Sequence, residues 1–275
     1  MIYVNLHVKR LWLTFNGRYR PFHVYNARPY LCAMRKTAPV ILAETEDYIA
    51  INKPSGMLTL PDRHDAEAES LRGWVQHKFG KTWVIHRLDK DTSGLILFAK
   101  NEDAHKYFSG LFESRNVQKS YLGMVTGKPL HPSGTIDAPI AEHPAKNGTM
   151  VVYKNGKPSL TGYKVVQTWQ KFSLLEFDLH TGRTHQIRVH CKHIGHPIVC
   201  DPLYGDGKAV LLSSIKKKFK LSKDQENEHP ILDRLGLHSF SLSFSNREGI
   251  HETIEAPLPK DMEALIKQLD KNLHL

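Results

Sequence analysis

Five consecutive apolar residues, Leu95-Ile-Leu-Phe-Ala99, directly follow a nine-residue polar run, His86–Gly94. An apolar block this short, entered through a Ser-Gly pair, predicts a strand buried on both faces. Around it lie other short β segments. Tyr48–Asn52 ends in the turn Lys53-Pro54-Ser55-Gly56, Trp83–Ile85 precedes the polar run, and Ser120–Thr126 follows it. Residues 134–182 are strand-rich, with turn signals at Asn147-Gly148 and Asn155-Gly156. Further strands are predicted at 237–244 and 250–255. Helical spacing appears at 66–79, where Leu71, Val75 and Phe79 share a face closed by Gly80, and at 102–113 and 184–194. A last helix spans 260–272, with Met262, Leu265, Ile266 and Leu269 as its apolar set. Strict strand–helix alternation is missing, so the expected class is α+β, a mostly antiparallel mixed sheet with flanking helices.

The chain has 275 residues, enough for one large domain with a small appendage, and 40% of them are hydrophobic. No apolar stretch approaches the roughly 20 residues of a membrane span, and Met1–Arg10 lacks the pattern of a secretory leader. Three cysteines, Cys32, Cys191 and Cys200, cannot all pair, which argues against a disulfide-stapled fold and for the cytoplasm. The net charge of +10 fits a polyanionic partner. Residues 1–36 hold Lys9, Arg10, Arg18, Arg20, Arg28, Arg35 and Lys36 and no acid. With Asn16-Gly17 as a hairpin turn after Leu11, Leu13 and Phe15, this segment reads as a basic, aromatic β appendage. Residues 40–275 form the main domain. The lysines at 216, 217, 218, 220 and 223 read as a surface insertion.

Three local motifs fail on physical grounds. Asp89–Gly94 copies the first half of an EF-hand loop, but the required Glu at position twelve is Lys100. His193-Ile-Gly-His196 spells a synthetase signature at a helix C-terminus, where phosphate chemistry needs an N-terminus. His185, His190, Cys191, His193, His196 and Cys200 are dense but lack structural-zinc spacing, so no metal is expected.

A fourth set holds together: His86-Arg-Leu-Asp-Lys-Asp-Thr-Ser-Gly94, Lys119-Ser-Tyr121 through Gly127, Thr181-Gly-Arg-Thr-His-Gln-Ile-Arg-Val-His190, and Gly195-His-Pro-Ile198 with Asp201-Pro-Leu-Tyr-Gly205. In this order, from about Val40 to Pro259, the blocks resemble the RluA-type family of RNA pseudouridine synthases. His86, where the related RsuA-type enzymes typically carry Gly, favours the RluA branch. Residues 1–36 are too short and too β-like for an S4 RNA-binding domain, so the likeness is to members without one.

The resemblance implies the pseudouridine synthase fold with a central RNA-binding cleft. It also implies isomerisation of uridine to pseudouridine in ribosomal or transfer RNA, through base flipping and without any cofactor. Asp89 is then the catalytic carboxylate, acting either as nucleophile at C1′ or as base toward the C2′ proton. Arg183 is its expected ion-pair partner. Tyr121 is expected to pack on the flipped uracil and assist C5 deprotonation. Arg87 is expected to fill the gap the base leaves. Lys119 and Arg188 are expected to support the site or face RNA, and Lys53 to lie at the cleft mouth. RNA is the partner, with no membrane and no obligate protein partner, and the enzyme is expected to act as a monomer. The competing reading, a non-catalytic RNA-binding protein on the same fold, predicts loss of Asp89, Tyr121 or Arg183, and all three are present.

Overall fold

The computed structural model describes residues 12–15, 18–21, 38–62, 69–220 and 228–273. The chain divides into two units, residues 1–36 and residues 37–275. In the first, β1 (Trp12–Phe15) pairs antiparallel with β2 (Arg18–Pro21), Phe15 opposite Arg18. The rest of the expected basic appendage lies outside the described residues.

The second unit is built on a ten-stranded sheet. Its strands include β3 (Val40–Glu44), β4 (Tyr48–Lys53), β5 (Trp83–Val84), β6 (Ser93–Ala99) and β7 (Gln118–Thr126). A separate ribbon is formed by β9 (Ile140–Glu142) and β10 (Met150–Val152). The large sheet continues through β8 (Ser133–Asp137), β11 (Leu160–Thr168), β12 (Phe172–Leu179), β13 (Leu237–Ser245) and β14 (His251–Glu255). The order is β3-β4-β6-β13-β7-β12-β11-β8, with β5 on β6 and β14 on β13. Pairing is antiparallel except between β6 and β13, which run parallel. The α+β class with a mostly antiparallel sheet is therefore the observed one.

The apolar block is covered on both sides, and every residue of β6 is buried. One face packs Ile96 and Phe98 against Leu71 and Val75 of α1 (Leu71–Phe79). The other packs Leu95 and Leu97 against Ala104 and Phe108 of α2 (Glu102–Glu113). Helix α1 begins at Ser70, whose hydroxyl accepts the Gly73 amide, later than the periodicity suggested. Residues 63–68 of that expected helix lie outside the described residues. Three further helices complete the unit: α3 (Gln186–His193), α4 (Leu212–Ile215) and α5 (Lys260–Asn272). Met262, Leu265 and Leu269 of α5 close a second core cluster over Leu122, Met124 and Trp169. Lys216, Lys217, Lys218 and Lys220 are exposed beyond α4, and Lys223 lies outside the described residues. Among the described residues no helix is long and apolar enough to cross a membrane.

The parallel step explains a glycine. Gly94 lies opposite Ser239 with φ +115°, and a Cβ there would sit 2.2 Å from the Ser239 carbonyl oxygen. Only glycine lets the two backbones approach so closely. The register then lines up one row across the sheet: Lys53, Gly94, Ser239, Tyr121 and Phe177 on β4, β6, β13, β7 and β12. The His86–Gly94 and Lys119–Gly127 blocks are thereby brought to the two strands that flank β13.

Candidate active site

The polar run before β6 forms a loop whose backbone is clamped by the Lys53–Thr59 turn. Thr59 Oγ1 donates to the Leu88 carbonyl at 2.9 Å and accepts the Leu88 amide at 3.2 Å. Ser55 Oγ donates to Asp91 O at 2.6 Å, and the Gly56 amide to Lys90 O at 2.9 Å. Lys53 is fully buried. Its ammonium donates to Pro54 O, Met57 O and Lys90 O at 3.1, 2.8 and 2.9 Å. The expectation that Lys53 meets RNA at the cleft mouth is thus corrected. All three of its donors are spent on backbone carbonyls, and it pins the turn to the loop. Burial pushes its pKa down to about 7.

The loop delivers Asp89 to the floor of a cleft of about 490 Å³ that is also lined by Arg87, Lys119, Tyr121, Arg183, His185 and Arg188. Asp89 Oδ2 lies 3.6 Å from Arg188 Nη1 and 3.9 Å from His185 Nε2. Arg188 is 2% exposed and holds the fully buried Asp201 with two parallel bonds, Nε to Oδ2 and Nη2 to Oδ1, both 2.8 Å. Asp201 Oδ1 also accepts the amides of Leu203 and Tyr204. A guanidinium fixed in this way presents its remaining Nη1 edge to Asp89 without freedom to swing away.

This arrangement corrects the expected ion pair. Arg183 lines the cleft but turns its Nε to the Pro158 carbonyl at 3.3 Å, and Arg188 is the arginine beside Asp89. The physical reason is position. Arg183 sits in the Thr181–Thr184 turn, whereas Arg188 lies within α3 between buried Ile187 and Val189. An arginine enclosed by a helix must find a carboxylate. Arg188 is accordingly not a surface RNA contact.

Tyr121 is 8% exposed, and burial, with Asp89 adding to it, raises its pKa to about 12, so the phenol keeps its proton at neutral pH. Lys119 is half-buried and stands 5.9 Å over the Phe112 ring, and burial lowers its pKa. Arg87 is exposed at the cleft. His86 also lines the cleft, with its Nε2 accepting the Leu97 amide at 3.0 Å and its ring stacked on Phe112.

The dense histidine–cysteine segment is dispersed. His190 bonds Thr161 and Ala138, Cys191 lies in the core, and His196 Nδ1 meets Thr126 O. Among the described residues no three His, Cys, Asp or Glu side chains converge on a common point. Residues that the motif reading missed are Asp201, His185 and Tyr204. Asp201 and Tyr204 belong to the Asp201–Gly205 block, and their signal was that a buried arginine on α3 requires a partner. Two non-glycine residues with left-handed backbone, His185 at φ 55° and Cys200 at φ 59°, flank this assembly. Such conformations cost about 1–3 kcal/mol each and gather at functional sites.

A basic cleft beside a mostly antiparallel sheet, with one carboxylate braced by a buried arginine, is a site suited to an anionic substrate. Residues 47–193 match the model of the RNA pseudouridylate synthase family, and the chain belongs to that family, whose members isomerise uridine in RNA to pseudouridine. It is 35% identical over 241 residues to the RNA pseudouridine synthase YlyB of Bacillus subtilis, covering 84% of this chain and 73% of that one. It is 34% identical over 239 residues to the ribosomal large subunit pseudouridine synthase D of Escherichia coli (strain K12), covering 82% and 69%. The solved structure of human RNA pseudouridylate synthase domain containing 1 superposes with a TM-score of 0.64 at 26% identity, over 83% of this chain and 87% of that one.

Proposed function

We propose that this cleft isomerises a flipped uridine with Asp89 as its single catalytic carboxylate. The observation that carries the reading is the Arg188–Asp201 brace, which leaves one guanidinium edge for Asp89. An ionised carboxylate held beside C1′ and C2′ can attack C1′ or take the C2′ proton, and both routes break the N1–C1′ bond. The freed uracil turns and C5 joins C1′, which releases the Asp89 carboxylate on the first route and is matched by return of the C2′ proton from Asp89 on the second. C5 then loses its proton to solvent and N1 takes one up, so the base keeps the same number of protons. Tyr121 packs on the ring as a neutral phenol, because a group with a pKa near 12 is no base at neutral pH. Arg87, exposed on the same loop, fills the space the base vacates. Lys119 and Arg183 line the cleft where phosphates and the neighbouring nucleotides pass. The chemistry is an internal rearrangement and calls for no cofactor.

The substrate is structured RNA in the cytoplasm. Large-subunit ribosomal RNA is the first candidate because relatives carry that name, and transfer RNA is the second. The enzyme acts as a monomer without an obligate protein partner. Residues 1–36, with seven positive charges and no negative ones, form an RNA-binding arm that adds affinity without chemistry. Its removal should reduce the slope of log affinity against log salt by about 0.7–0.9 for each phosphate that the arm neutralises. Mapping pseudouridines in total RNA from cells with and without the gene tests the substrate. One or a few sites that vanish in ribosomal RNA fit the reading. An unchanged map in both RNA classes refutes it.

A further inference from the structure

We propose that His185 is a positioning residue for Asp89, held in a single tautomer by Tyr204 and, through Tyr204, by the β9–β10 ribbon. The proposal rests on the assignment of Asp89 as the catalytic carboxylate. The Met150 amide of β10 donates to the Tyr204 hydroxyl oxygen at 2.8 Å. That oxygen lies 2.8 Å from His185 Nδ1. With its oxygen occupied by the amide, the phenol has Nδ1 as acceptor for its own proton. Nδ1 is then unprotonated, and in the neutral ring the proton belongs to Nε2. Nε2 is the atom that faces Asp89 Oδ2 at 3.9 Å. Such bonds lengthen in the absence of substrate and tighten as the site fills.

Burial favours the neutral ring, while Asp89 and Asp201 favour its charged form and Arg188 and Arg87 oppose it. The left-handed backbone at His185, φ 55°, aims the ring across the N-terminus of α3 toward the Asp89 loop. The Tyr204 ring also lies 5.0 Å beneath the Arg188 guanidinium carbon, so one tyrosine supports both groups beside the carboxylate. Arg188 and His185 both approach Oδ2. Together they fix which carboxylate oxygen turns toward them and which is presented to the sugar.

The substitutions His185→Asn and His185→Gln separate this role from a structural one. Asn tolerates the left-handed backbone and can still meet Tyr204, but it places nothing where Nε2 stood. Gln reaches that position with an N–H donor. With uridine-containing RNA as substrate, His185→Asn is expected to lower kcat about tenfold or more with KM within about threefold, and His185→Gln to return kcat to within about threefold of wild type. Tyr204→Phe should turn the histidine's ring ¹⁵N signature at pH 7 from one Nε2-protonated tautomer into a mixture. An Asn variant that turns over within about threefold of wild type, Asn and Gln variants impaired alike, or an unchanged ¹⁵N signature in Tyr204→Phe would each overturn the proposal. Asp89→Asn, assayed alongside, distinguishes the two levels: if it is active, the assignment of Asp89 fails, and if it is dead while His185→Asn is active, only the role of His185 fails.

Discussion

Replacing Arg188 by Met removes the cation that Asp89 and Asp201 share. Asp201 is fully buried, and after the change it keeps only the amides of Leu203 and Tyr204, both on Oδ1. Stranding a buried charge in this way costs about 3–5 kcal/mol. A domain of this kind has about 5–15 kcal/mol to lose. The corresponding fall in Tm is about 6–20 °C. Pairing Arg188→Met with Asp201→Asn removes the stranded charge while keeping an Oδ1 acceptor for the two amides, so most of the stability should return. Turnover should not return, because Asp89 still lacks its cation. Denaturant unfolding reads the first quantity, and release of tritium from RNA labelled at uracil C5 reads the second. Unchanged stability in Arg188→Met would refute the brace, and restored turnover in the double variant would refute its action on Asp89. Arg188→Lys, which keeps charge but loses the parallel bonds, should lower kcat far more than Arg183→Lys.

Gly94→Ala should destabilise by at least about 1–3 kcal/mol, since its Cβ would meet the Ser239 backbone at 2.2 Å in a conformation foreign to alanine; thermal unfolding checks it. Acid should weaken the fold through two histidines, the buried His238 and the half-buried His86. Burial lowers His86 to about 3 and His238 to about 4, below the ordinary 6.5, so the unfolded chain binds more protons between pH 6.5 and 4 and stability falls as pH falls through that window. His238→Gln should flatten that dependence in denaturant titrations, and an unchanged slope would contradict it. Excess EDTA should leave turnover intact, and a loss restored by zinc would bring the histidine–cysteine segment back as a metal site.

Local patterns carried much of the architecture. The Leu95–Ala99 block, the 102–113 helix and the 260–272 helix are read from apolar spacing alone, because the run or the periodic face that each buries is written within its own residues, whatever it packs against. The parallel pairing of β6 with β13 was not legible, since it joins residues about 145 positions apart and leaves only a glycine as its trace. Strand β3 escaped notice because it is an edge strand with no fully buried residue. At the site, motif spelling singled out Asp89 and Tyr121, which the cleft brings together. It could not rank Arg183 against Arg188 or tell an RNA-facing Lys53 from one that binds carbonyls. Those distinctions depend on which side chains the fold encloses. Enclosure follows from the burial of every residue from Gln186 to Cys191 of α3, and helical spacing alone does not predict that.

The central claim is that one carboxylate, Asp89, breaks the glycosidic bond. Asp89→Asn keeps size and hydrogen bonding, but an amide neither attacks C1′ nor takes the C2′ proton. Measured as tritium release from C5-labelled RNA under single-turnover conditions, the variant should show no release above background while its Tm and RNA affinity stay close to wild type. Release within about tenfold of the wild-type rate, from a protein that folds and binds normally, would contradict the account.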